Sequence, residues 1–165
     1  MKFDDQLVSR AGALLEVCRA KKIMISTAES CTGGLISALL TSVAGSSDVF
    51  DRGFATYTNE AKSACLGVPA SLIAAHGAVS SEVAEAMALG AIENSGASLS
   101  ASVTGIAGPG GGSVEKPVGL VFIGSCCKTS EPIAEKHIFS GDRDAVRAQS
   151  VDCALALLTR QAQIC

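Results

Sequence analysis

Apolar positions recur along this chain with two different periods. Leu7, Ala11, Leu14, Leu15 and Cys18 fall three or four residues apart, which gathers them on one helical face and predicts an amphipathic helix over residues 4–21. Lys21 and Lys22 close it, where cations suit the negative end of the helix dipole. Leu35, Ile36, Leu39, Leu40 and Val43 form a second stripe, ended by Gly45. Residues 59–65 form a short helix stopped by Gly67 and Pro69. Val83, Met87 and Ala91 mark a further helix, with Ser80 as its N-cap and Glu82 and Glu85 at its positive end. From Asp142 onward, Val151, Ala154, Leu155 and Leu158 stripe a last helix.

Short apolar runs of strand length lie between these helices, at residues 23–27, 52–57, 98–103 and 118–125. The last is almost wholly apolar and belongs inside a sheet. Residues 133–139 alternate, with Ile133, Glu135, His137 and Phe139 against Ala134, Lys136 and Ile138, as a more exposed strand does. The short connection over residues 126–132 allows antiparallel pairing with the strand before it. Helix and strand alternate throughout, so a layered α/β sandwich is expected, with residues 1–165 as one domain.

Composition narrows the picture. Of 165 residues 48% are apolar, with no Trp and one Tyr, so the core is aliphatic. The net charge is −3 and no run of Lys or Arg occurs, which argues against direct binding of nucleic acid. No apolar run reaches the roughly 18–20 residues that a membrane span needs. Two Asp in MKFDDQ stand where a secretory leader places its apolar segment, so a cytoplasmic protein is expected. The seven cysteines include no CxxC pair, and neither His is near a Cys cluster. Neither zinc nor a disulfide framework is therefore expected, nor any cofactor, and the thiols read as reduced, buried hydrophobes, with Cys31 set apart.

Two glycine-bearing loops carry the candidate chemistry. The first, TAESCTGG over residues 27–34, joins a strand to a helix. A helix start presents unpaired N–H groups that receive anions or a developing oxyanion, and Gly33 and Gly34 permit close approach to the backbone. Close helix–sheet packing explains the same glycines equally well. The second, TGIAGPGGGSVEKPVG over residues 104–119, contains no GK[ST] and is followed by a strand, so it is neither a Walker loop nor a dinucleotide fingerprint.

Ser30 and Cys31 are the candidate nucleophiles. His76 and His137 have no spacing that recommends either as the base, whereas a lysine of lowered pKa can replace histidine. Lys62 lies in an apolar setting beside Ala61, Ala64, Cys65 and Leu66. The S-x-x-K pairs Ser113/Lys116 and Ser125/Lys128 lack the helical turn that would stack lysine under serine. Arg143 and Arg147, one helical turn apart, could face one anionic ligand, with Lys116 as a further cation.

AESCTGG (28–34), YTNEAKSACLGV (57–68), AVSSEVAEAMA (78–88), TGIAGPGGGSVEKPVG (104–119) and GDRDAVR (141–147) together resemble the CinA C-terminal domain family, in order and over nearly the whole chain. The resemblance implies a three-layer α/β/α sandwich with a mixed, mostly parallel five-stranded sheet, the stand-alone form of the module, and homo-oligomers. It also implies the deamidation of nicotinamide mononucleotide, a small-molecule nucleotide, through a Ser–Lys pair. Matched by motif, that pair is Ser30 and Lys62, with Tyr57 and Thr104 beside it and Arg143 for the substrate. Backbone N–H groups around Cys31, Thr32, Gly33 and Gly34 are expected to receive the oxyanion, and Thr104 and Gly105 to orient the serine or the amide. The alternative is a non-catalytic nucleotide-binding or interaction module linked to competence or DNA damage.

Overall fold

The computed structural model describes residues 3–165; Met1 and Lys2, which open the stretch read above for a leader, lie outside the described residues. The elements run α1 (Asp5–Lys21), β1 (Ile25–Glu29), α2 (Leu35–Thr41), β2 (Phe50–Ala55), α3 (Asn59–Leu66), α4 (Ala70–His76), α5 (Ser81–Glu93), β3 (Leu99–Gly105), β4 (Leu120–Cys127), β5 (Ile133–Ile138) and α6 (Arg143–Ile164), with a 3-10 turn at Ser46–Asp48. Caps set several boundaries. The Asp4 carboxylate accepts from the amides of Gln6 and Leu7, and Ser80 accepts from Val83, as expected.

The five strands form one sheet in the order β2-β1-β3-β4-β5. β1 pairs parallel with β2 and β3, while β4 is antiparallel to both β3 and β5, so four of the five strands share a direction. The alternating segment, expected to be exposed, is the edge strand β5, antiparallel to β4. Helices α1, α2 and α6 pack on one face, where Leu14, Leu15, Leu39 and Leu155 meet Ile25, Leu99 and Val103. Helices α3, α4 and α5 cover the other, with Leu66, Val83 and Met87 around Ala28. On that face buried hydroxyls stitch the sheet to α5: Ser26, Ser100 and Ser102 donate to the carbonyls of Ala91, Ala88 and Ala84. Small side chains that satisfy their own hydroxyls let α5 lie close to the sheet without leaving polar groups stranded.

The structure departs from the sequence reading in three respects. β1, β2 and β4 each begin and end two residues away from the predicted runs, which puts Ser30 immediately after a strand rather than inside the following loop. Residues 70–76, for which the sequence pattern predicts no element, form α4, because Pro69 supplies a preset extended backbone before an Ala-rich turn and Ile73 anchors it in the core. Cys127 and Cys165 are joined by a disulfide rather than being reduced, and Cys65 is exposed rather than buried.

β1 lies between its two sequential neighbours. The chain leaves β1 through α2 on one face to reach β2, then crosses the other face through α3, α4 and α5 to reach β3. The connections diverge at the carboxyl end of β1, which opens a crevice there; such switch points are where α/β sheets hold ligands.

Candidate active site

Three strand ends deliver the crevice. Ser30 follows β1, Thr56 and Tyr57 follow β2, and Thr104 and Gly105 close β3. The parallel register brings them level, since Glu29 lies opposite both Ala55 and Val103. Lys62 arrives from α3, whose first turn is capped by Thr58 accepting from the Ala61 amide. One turn later Lys62 points inward and is 1% exposed. Its Nζ lies 3.0 Å from Ser30 Oγ and donates to the Thr56 carbonyl at 2.9 Å. Neither partner is a carboxylate, and burial lowers the Lys62 pKa, outweighing the opposite effect of the nearby Cys31. The result is an amine biased toward its neutral, proton-accepting state, in contact with a hydroxyl.

Cys31 also lines the crevice, but burial pushes its thiol up to about 11. A thiol that stays protonated at neutral pH is a weak nucleophile. The chemistry of the pair thus favours the hydroxyl of Ser30 over the adjacent sulfur.

The turn after Ser30 is held from within. Glu29, fully buried, spends its carboxylate on the start of α2: Oε2 accepts from the Gly34 and Ile36 amides, and Oε1 accepts from the Ser37 amide and hydroxyl. The Gly33 amide donates to the Ser30 carbonyl. Gly33 and Gly34 adopt φ of 62° and 102°, the left-handed region that a side chain rarely enters, so the glycines serve the turn. The positive end of α2 is therefore occupied by the protein's own acid. Sequence reasoning assigned that end to substrate; the signal it passed over was an acidic residue closing the strand that leads into the helix.

A cavity of about 280 Å³ brings together Ser30, Cys31, Tyr57, Lys62, Thr104, Gly105 and Arg143. Thr32, Gly33 and Gly34 lie outside its lining. Asn59, Val79 and the backbone at Gly108, Gly110 and Gly111 join it, none of which had been singled out. Thr104 is buried and donates to the Ala78 carbonyl. Arg143, the first residue of α6, donates to Gly108 O at 2.8 Å and to the Tyr57 hydroxyl at 2.7 Å, bridging the second glycine loop to Tyr57 across the mouth. Tyr57 is 60% exposed there.

The other candidate cations go elsewhere. Arg147 turns away from the cavity and donates to the carbonyls of Cys31 and Thr32. Lys116 reaches the His76 and Val79 carbonyls, fastening the second loop to the α4–α5 connection. His76 faces Glu82 at 3.2 Å and His137 stacks on Phe139, and neither lines the cavity. Among the described residues, no three His, Cys, Asp or Glu side chains cluster as metal ligands, and no helix is long and apolar enough to cross a membrane.

This geometry has close counterparts. The competence/damage inducible protein CihA of Agrobacterium tumefaciens superposes with a TM-score of 0.94 at 43% identity, covering 97% of this chain and 98% of that one. Nicotinamide-nucleotide amidohydrolase PncC of Escherichia coli is 45% identical over 158 residues, 96% of each chain. A CinA-like protein of Citrifermentans bemidjiense is 54% identical over 161 residues, 94% of this chain, but the match spans only 35% of that longer protein. The model of the CinA C-terminal domain matches residues 7–162. On sequence and on fold, the chain belongs to the CinA C-terminal domain family.

Proposed function

We propose that this chain is an amidohydrolase that converts nicotinamide mononucleotide to nicotinic acid mononucleotide and ammonia, with Ser30 as nucleophile and Lys62 as base. The observation that carries the reading is the 3.0 Å approach of the buried Lys62 Nζ to Ser30 Oγ, with no carboxylate among the hydrogen-bond partners of Nζ. The kinship with PncC, named for this activity and matched end to end, supplies the substrate.

In this mechanism the neutral Lys62 amine takes the Ser30 proton as Oγ adds to the carboxamide carbon. The resulting ammonium then protonates the departing nitrogen, which leaves as ammonia, and an ester remains on Ser30. Water, deprotonated by the regenerated amine, cleaves that ester to the acid. The Thr56 carbonyl keeps Nζ aimed at Oγ through both halves. Of the amides from Cys31 to Gly34, only those of Cys31 and Thr32 donate to no oxygen among the described residues; Cys31 lines the cavity and Thr32 is the next residue of the turn behind it, so the oxyanion falls to Cys31 first, with Thr32 beside it. Arg143 and Tyr57, at the mouth, meet the ribose phosphate end.

The test is ammonia release from nicotinamide mononucleotide by the purified chain and its variants. Ser30→Ala should lose at least about a thousandfold in kcat, while Cys31→Ala stays within about tenfold of the parent. Loss confined to the cysteine variant would overturn the assignment of nucleophile. Calorimetric binding of the nucleotide with no ammonia over long incubation would instead favour a binding module.

A further inference from the structure

We infer that Arg147 is a positioning residue for the oxyanion-receiving amides, acting from the far side of the turn that follows Ser30; this rests on the Ser30–Lys62 chemistry proposed above, though not on the identity of the substrate. Arg147 lies on α6, touches neither Ser30 nor Lys62, and is outside the cavity lining. Its Nε donates to the Cys31 carbonyl and its Nη2 to the Thr32 carbonyl, each at 3.2 Å. A trans peptide is planar, with its C=O and N–H opposed. Holding the Cys31 carbonyl toward α6 therefore points the Thr32 N–H away from α6. The preceding peptide is held the same way: the Ser30 carbonyl accepts from Gly33, which turns the Cys31 N–H to the opposite side. The two amides that donate to no oxygen are thus the two whose own peptide carbonyls are pinned.

The fork geometry matters. A guanidinium offers two parallel donors to two successive carbonyls, which a single ammonium cannot match. Glu29 completes the clamp by taking the next amides, Gly34 and Ile36. Without Arg147 the turn keeps its glycines and its Glu29 anchor but loses the bond that sets the tilt of the Cys31–Thr32 peptide.

The test uses a fluorophosphonate probe, read by mass spectrometry at Ser30, on the full chain and its variants. Ser30 Oγ forms a bond to phosphorus, fluoride leaves, the serine proton passes to Lys62, and the phosphonyl oxygen occupies the oxyanion position. Arg147→Ala should label about tenfold to a hundredfold more slowly than the parent, with an unchanged midpoint in the pH–rate profile, because the contacts of Lys62 are untouched. Arg147→Lys should fall between the two. Labelling of Arg147→Ala within twofold of the parent, or slowing accompanied by a displaced pH midpoint, overturns the inference. Should Arg147→Ala prove unfolded by circular dichroism, Arg147→Lys decides alone: slowing with an unmoved midpoint supports the inference, and parent-like labelling overturns it. A parent chain that labels at Ser30 yet releases no ammonia from nicotinamide mononucleotide would sink the proposed substrate and leave this inference standing.

Discussion

An amine buried against one hydroxyl and one carbonyl is stabilising only while it is uncharged. Lys62 occupies such a place, and its pKa is lowered from 10.5 by desolvation. Activity should therefore rise with pH through that lowered value, since only the neutral form accepts the Ser30 proton; a kcat/KM flat from acid to alkaline pH would remove Lys62 from the role of base. Stability follows the same sign. Between the folded pKa and 10.5 the unfolded chain binds more protons than the folded one, so stability increases with pH across that window and is lowest below it. Lys62→Met, which fills the space without the charge, should abolish ammonia release and raise stability at neutral pH by about 1 kcal/mol, measured by urea denaturation. A Lys62→Met variant less stable than the parent would mean that the bonds to Ser30 and Thr56 outweigh the desolvation. Ser30 and Lys62 were paired in the sequence through the family motifs; the residues alone left Ser30 and Cys31 both open and marked Lys62 only by its apolar neighbours. The roles of Glu29, Arg147 and Lys116 were not, because their partners are backbone groups, which leave no trace in residue type.

The elements place these residues through two tight contacts. α3 carries Lys62, and its last carbonyl, that of Leu66, lies where a side chain on Gly90 of α5 would stand: a methyl there would come within 2.0 Å of it. Gly90→Ala should push α3 off α5, cost about 2–3 kcal/mol as an overpacking substitution, and lower kcat more than tenfold by moving Nζ from Oγ; unchanged kcat would show that α3 can shift without carrying Lys62 away. α2 depends on Glu29 instead. Glu29→Gln would aim an NH2 group at amides that now donate to a carboxylate, which should cost about 2–4 kcal/mol in chemical denaturation. Periodicity revealed α1, α5 and α6 because each shows two or more turns of apolar stripe. It missed α4, whose seven residues show a single buried anchor, Ile73. It placed strand ends two residues off in β1, β2 and β4, since apolar runs mark what is buried rather than what is paired, and Ile23 and Thr56 are buried outside the strands they flank.

Across the molecule, function and covalent reinforcement sit at opposite ends of the sheet. Cys127, at the end of β4, lies opposite Leu99, the first residue of β3, while the site follows Gly105, the last. Seven residues of strand at about 3.3 Å each separate the two ends by roughly 20 Å. The disulfide from Cys127 to Cys165 closes a span of 38 residues and ties the end of α6 back to the sheet. Nothing in the spacing of seven scattered cysteines singled out that pair, since bridging depends on where β4 and α6 end in space. In the chain-entropy account a closed span of this length stabilises by about 3–4 kcal/mol. Cys165→Ser, or reduction of the parent, should therefore lower stability by about 2–4 kcal/mol, with the variant and the reduced parent agreeing. The kcat for ammonia release, measured well below the melting temperature, should stay within twofold, because α6 is held at its other end by the Arg143 and Arg147 contacts that serve the site. A fall in kcat that tracks reduction would show that the two ends of the sheet communicate through α6 and are not independent.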